Sequence, residues 1–185
     1  RCRKAFECCM EGKNTAMICS GDAGVYGMAG LILELAQQSP GVRVRIVPGI
    51  TAACAGAAVL GAPLMHDFAV ISLSDRLTPL EDIWNRVEAA AQADFVICLY
   101  NPASKGRPDF FRQACSRILK YRAEDTVCGL AVNIGREGEE MEVLTLEELK
   151  DRRVDMFTTV YIGNSHTRQI GPYMVTPRGY RYEGN

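Results

Sequence analysis

The chain has 185 residues, of which 48% are hydrophobic and 23% charged, with a formal net charge of -1 at pH 7. This is the composition of a globular protein with a sizeable core, and it excludes a disordered chain or a dedicated nucleic-acid binder carrying excess basic charge. No apolar run approaches the roughly 18 residues a membrane-spanning helix needs, and no signal-peptide pattern opens the chain.

Cys2, Phe6 and Cys9 share one helical face, which predicts a helix at the start. No capping residue precedes it, and Arg1, Arg3 and Lys4 stand where the helix dipole disfavours positive charge. The expectation is a helix entered midway, in a chain cut from a longer protein. Thr15 to Cys19 and Val42 to Val47 read as strands, and Val25 to Ala36 as the helix between them. A small-residue helix over Thr51 to Leu60 follows the Pro48-Gly49 break. Gly61-Ala62-Pro63 ends it, and a domain boundary is expected near Met65 to Asp67, separating residues 1–65 from 66–185.

The second half repeats the alternation. Strands are predicted at Phe68 to Leu73, Phe95 to Leu99, Val127 to Val132 and Thr158 to Ile162. Thr78-Pro79-Leu80-Glu81 and Thr145-Leu146-Glu147-Glu148 both have capping-box spacing, and Pro108 opens a further helix. Gly135 to Glu140 reads as a polar turn. Strands alternating with helices predict two α/β domains with mostly parallel sheets. The eight cysteines include no CxxC pair, and with only two histidines no metal site is expected. Cys19, Cys98 and Cys128 sit in apolar runs and read as buried free thiols of a reducing, cytoplasmic setting.

In such sheets ligands bind beyond the carboxyl ends of strands. Four loops follow strands here. Gly21, Asp22 and Gly24 lie in the first, where glycines admit a ligand close to backbone and a helix start offers N–H groups. Gly49 and Thr51 form a second loop of the same kind. Tyr100, Asn101, Lys105 and Arg107 lie in the third, whose two cations suit an anionic substrate, and His166 and Arg168 lie in the fourth. His66, beside Asp67 at the expected boundary and with Asp75 after the next strand, is a candidate acid–base group.

Six segments together carry a specific resemblance: SGDAGVYGMAG (Ser20 to Gly30), VPGITAACAGAAVLGAPLMHDFAVISLSD (Val47 to Asp75), LYNPASKGRP (Leu99 to Pro108), NIGREGE (Asn133 to Glu139), TTVYIGNS (Thr158 to Ser165) and VTPRGY (Val175 to Tyr180). The chain resembles the tetrapyrrole methylases along essentially its whole length. The resemblance implies a homodimeric, two-domain α/β enzyme that binds S-adenosylmethionine between its domains. It implies methylation of a reduced tetrapyrrole, coupled in one branch to contraction of the macrocycle. By motif, Gly21, Asp22, Val25, Tyr26, Thr51, Ala52, Ala53, Tyr100 and Asn133 would contact the methyl donor. Lys105, Arg107, Arg136, Arg168 and Arg178 would hold the acetate and propionate groups of the substrate by charge-assisted hydrogen bonds. The catalytic candidates, read from the residues themselves, are His66 as general acid or base and Asp75, with Asp67 or Asp75 to orient the imidazole. The family opens with a strand and a GxGPG loop that this sequence does not contain, so the first domain is expected to be truncated. The alternatives are a family methylase acting elsewhere on the macrocycle, or a module that binds its ligand without chemistry.

Overall fold

The computed structural model describes residues 1–103 and 109–180, which fall into two compact units divided between Ala52 and Ala53. Lys105, Arg107 and Pro108 lie outside the described residues.

The first unit holds helix α1 (Cys2–Met10) and helix α2 (Ala29–Ala36). The segments expected as strands, 15–19 and 42–47, form no sheet ladder among the described residues. Their β-branched composition suits a pleated surface, but a strand needs a neighbour to take its backbone hydrogen bonds. Ile18 and Val47 are accordingly exposed. Cys19 is exposed too, against the expectation of burial. Between these segments and the apolar faces of α1 and α2 lies a cavity of about 430 Å³, walled by Phe6, Met17, Met28, Ile32, Val44 and Ile46.

In the second unit, helix α3 (Ala52–Leu60) runs into the short strand β1 (Gly61–Ala62). The remaining elements are β2 (Phe68–Ser72), α4 (Leu80–Gln92), β3 (Val96–Tyr100), α5 (Phe110–Ile118), β4 (Val127–Val132), β5 (Glu140–Thr145), α6 (Leu146–Lys150), β6 (Thr158–Ile162), β7 (Arg168–Ile170) and β8 (Tyr173–Val175). Five strands make one sheet in the order β2-β3-β6-β4-β5, and three make a second in the order β1-β8-β7.

The expectation of mostly parallel sheets is corrected here. Among the described residues only β2 with β3 and β1 with β8 run parallel. Strand β6 enters antiparallel between β3 and β4, and β5 returns from β4 as a hairpin. A seven-residue loop, 133–139, joins β4 to β5, too short for a parallel crossover. The α/β character stands.

Period-2 alternation divides the five-stranded sheet into two faces. Ile71, Ile97, Leu99, Leu130, Val160 and Ile162 face α4, α5 and α6, where Trp84, Val87, Phe111, Ile118 and Leu149 complete the larger core. Cys98, Ala131 and Tyr161 face the other way and pack with Ala53, Ala57, Leu60 and Met174. In this second cluster α3 buries its apolar face with the second unit's sheet, and the compact units divide between Ala52 and Ala53. Gly129 makes that packing close, since a Cβ there would stand 2.7 Å from Leu60 Cδ1.

The Thr145 capping box forms as expected, its hydroxyl accepting from the Glu148 amide while the Glu148 carboxylate accepts from the Thr145 amide. The one expected at Thr78 does not, because α4 starts a residue later with Pro79 at its N-cap and no side-chain cap bond. Cys98, Cys115 and Cys128 are buried, and burial pushes the Cys115 thiol up to about 12, so these are inert, packed thiols.

Candidate functional site

The first unit contributes two glycine loops tied to each other by one carboxylate. Asp22 Oδ1 accepts from the Gly24 amide at 2.7 Å, and Oδ2 accepts from the Gly49 amide at 2.8 Å. These bonds, with a further one from Val25, hold the Asp22 carboxyl below its ordinary range, the Gly49 contribution being the largest. The approach is so close that a Cβ on Gly49 would stand 2.2 Å from the Gly21 carbonyl oxygen. Asp22 therefore shapes the loops.

Between those glycines and α2, the chain takes an unusual course. Tyr26 has φ of 51° and its side chain is exposed. An aromatic residue in the left-handed region costs roughly 1–3 kcal/mol, and such residues cluster where ligands are held. Val25 beside it is also exposed. Together they present apolar side-chain surface just before α2. Neither Tyr26 nor Thr51 walls the 430 Å³ cavity, whose lining is the apolar inside of the unit.

In the second unit, the ends of β2, β3 and β4 come together. Asn101 and Asn133 follow β3 and β4 with the same φ, 51°. Asn101 Nδ2 donates to Ser72 Oγ at 2.9 Å, joining the ends of β3 and β2. Asn133 Nδ2 donates to the Gly138 carbonyl at 3.1 Å and closes the hairpin loop. Within that loop the Arg136 guanidinium lies 5.1 Å from the centroid of the exposed Phe157 ring, a stacked cation at the same sheet end. Tyr100 ends β3, and its hydroxyl accepts from the Ala53 amide at 2.6 Å.

Topology separates other residues that the sequence grouped. His66 precedes β2 and Asp75 follows it, so a strand of about 17 Å divides them. Asp75 stands at the Tyr100 end and His66 at the opposite end, where its Nδ1 is 3.9 Å from Asp67 Oδ2, beyond hydrogen-bond reach. They are not a pair. Because β6 runs antiparallel to β3, the loop after it also lies at the far end, where Ser165 bonds Asp94 through both its amide and its hydroxyl. Arg168 begins β7 just beyond that loop. Arg178 comes two residues after Thr176, whose hydroxyl meets that of Thr167 at 2.8 Å. The expected set of substrate cations is thus divided, with Arg136 at one sheet end and Arg168 and Arg178 following the other; Lys105 and Arg107 are not among the described residues.

Sequence reasoning passed over Tyr161 and Phe157. A tyrosine inside an otherwise apolar buried strand was the available signal for the first, because its hydroxyl must find a partner. Phe157 had none.

With this geometry in view, the comparisons with known proteins converge. The family model "Tetrapyrrole (Corrin/Porphyrin) Methylases" matches residues 2–150. A Salmonella typhimurium protein named probable cobalt-factor III C(17)-methyltransferase is 48% identical over 97% of this chain and 75% of its own length. The cobalt-factor III methyltransferase of Priestia megaterium is 46% identical over 98% of this chain, which spans only 34% of that longer protein. Among solved structures, the methyltransferase CobJ superposes with a TM-score of 0.88 at 37% identity, over 95% of this chain and 75% of CobJ. The chain belongs to the tetrapyrrole methylase family. Among the described residues no helix is long and apolar enough to cross a membrane.

Proposed function

We propose that this chain carries S-adenosylmethionine-dependent methyl transfer to C-17 of precorrin-3B or its cobalt form, with contraction of the macrocycle, in cobalamin biosynthesis. The observation that carries the reading is the likeness to a cobalt-factor III C(17)-methyltransferase over 97% of the chain. Homodimeric assembly and a cytoplasmic setting belong to the same proposal.

The residues present fit the donor. When bound, S-adenosylmethionine supplies a methyl group on a sulfonium, a leaving arrangement that asks the protein chiefly for alignment. Gly21, Gly24, Thr51 and Ala52 belong to the turns that would meet the donor, Val25 and Tyr26 present apolar surface, and Asp22 fixes the loop that carries them, while Ala53 is wholly buried and would act only through the turn it belongs to. Tyr100 and Asn133 belong to the donor site in this reading. Arg136, stacked on Phe157, offers an oriented guanidinium to a substrate carboxylate. Asp75 is a carboxylate at that sheet end and is assigned to proton handling, and Lys105 and Arg107, outside the described residues, are further anchors.

The test is incubation with cobalt-factor III and methyl-deuterated S-adenosylmethionine, followed by mass analysis and assignment of the labelled carbon. Label at C-17 is expected. Label at another carbon supports a family methylase of different position, and ligand binding without label supports a non-catalytic module. Asp22→Ala should weaken binding of S-adenosylhomocysteine in calorimetry.

A further inference from the structure

We infer that Tyr161, together with Tyr100, is a positioning residue that seats the first turn of α3 on the sheet and so fixes the shape of the Thr51-Ala52-Ala53 turn. The inference rests on the reading that this turn meets the methyl donor.

The single peptide position Ala53 is held on both sides. Its N–H donates to Tyr100 Oη at 2.6 Å, and its carbonyl accepts from Tyr161 Oη at 2.8 Å. Ala53 is wholly buried, and so is Tyr161. The two tyrosines stand on neighbouring strands, β3 and β6, where Cys98 lies opposite Tyr161, so both rings project from the same sheet face. The N–H at this position is one of the four in a helix's first turn without an intrahelical acceptor. Tyr100 supplies the missing acceptor. Tyr161 fills a lone pair of the carbonyl that the helical bond leaves open.

A second, independent observation comes one turn further along. A Cβ at Gly56 would stand 2.5 Å from Tyr161 Oη and 2.7 Å from Ile134 Cδ1. The helix therefore lies directly on the hydroxyl, at a distance that no residue but glycine allows. A phenylalanine would fill the same space as Tyr161 with the same apolar contacts, so packing alone does not call for the hydroxyl. Burial also pushes the Tyr161 hydroxyl well above its ordinary value, which keeps it a donor throughout the neutral range. Neither Tyr161 nor Ala53 has an exposed atom to offer a ligand, so Tyr161 acts through α3.

The test uses the full chain with Tyr161→Phe, Tyr100→Phe and Gly56→Ala, and with Ile162→Val as a control that loosens the opposite sheet face. Four quantities are read: S-adenosylhomocysteine affinity by calorimetry, exchange of the Ala53 amide by NMR, the thermal midpoint, and steady-state kinetics. Each tyrosine variant should weaken S-adenosylhomocysteine by about fivefold or more, the scale of one net hydrogen bond, and speed Ala53 exchange. In Tyr161→Phe the KM for the methyl donor should rise while kcat stays within about threefold, because this buried hydroxyl acts on ground state and transition state alike. Gly56→Ala should do the same with both hydroxyls present. Ile162→Val should lower the midpoint yet keep affinity within about twofold, since its effect is confined to packing. Wild-type affinity in Tyr161→Phe despite faster Ala53 exchange overturns the inference and leaves the donor reading standing. Failure of the unaltered chain to bind S-adenosylhomocysteine overturns the donor reading, and this inference falls with it.

Discussion

Asp22 and Gly49, 27 residues apart, are joined by a 2.8 Å hydrogen bond from the glycine amide to the aspartate carboxylate. The bond converts two separate loops into one surface, and its charge makes that surface pH-dependent. The native carboxyl is held below its ordinary 3.8. A lowered native value means the contribution is fully present above the unfolded-state value, near ~3.9, and is lost as pH falls through the native one. NMR titration of the Asp22 carboxyl carbon should give a midpoint under 3.8. Asp22→Asn should flatten the acid limb of stability. A midpoint at or above the ordinary value would mean that the loops are held by something else.

Two glycine-to-alanine changes in the first unit should have opposite signs. At Gly49 the new methyl would meet backbone at 2.2 Å, so the loops must part, with a loss of about 1–3 kcal/mol. At Gly30, inside α2, nothing lies within 4 Å, and alanine is the better helix former by about 1 kcal/mol. Urea denaturation of both variants decides the matter. Equal effects would show that the close approach of Gly49 to Gly21 is not maintained in solution.

Arg136 should matter to the substrate and not to the donor. Arg136→Gln removes the charge but keeps hydrogen-bonding capacity, and the KM for the tetrapyrrole should rise about tenfold, the scale of a charge-assisted hydrogen bond. Phe157→Leu, which takes away the stacking partner, should have a smaller effect in the same direction. S-adenosylhomocysteine affinity should be unchanged in both variants. A loss of donor binding would move Arg136 to the other ligand.

His66→Ala should leave both methylation and ring contraction within about threefold of wild type, well short of the ~10²-fold loss expected of a general acid or base. The reason is topological: His66 stands before β2, whereas Tyr100, Asn101 and Asn133 stand at the strands' other ends. Assays that follow the two steps separately, by label uptake and by absorbance of the macrocycle, would expose a catalytic histidine as a selective loss of contraction.

Local sequence carried some of these features and not others. The cores of β3 and β6 were visible because uninterrupted apolar, β-branched runs have few other homes. The Thr145 capping box was visible because both of its hydrogen bonds are made within four residues. Strand β5 was not, since Glu140, Met141 and Glu142 resemble a solvated turn until β4 is known to lie beside them. The direction of β6 was equally hidden: pairing partners are a long-range property, and an antiparallel strand has the same composition as a parallel one. That single unknown misplaced Arg168, because a rule that puts every post-strand loop at one sheet end holds only for parallel strands. The glycine loops of the candidate site were legible as turns with a following helix. Their fastening through Asp22 was not, because nothing local pairs residue 22 with residue 49.

The reversed strand β6 also sorts the second unit's connections into two populations with different freedom. Those at the Tyr100 end carry the conformations and side chains assigned to ligands, so their lengths are constrained. Those at the Ser165 end include bonds to Asp94 and Thr176 that serve the scaffold. The β7–β8 turn beyond them, at Gly171, has open space around its Cα, and residues 170–173 are exposed. A reporter dye, an affinity tag or a surface tether placed there would leave the methylation chemistry untouched, giving an attachment point for following the enzyme at work.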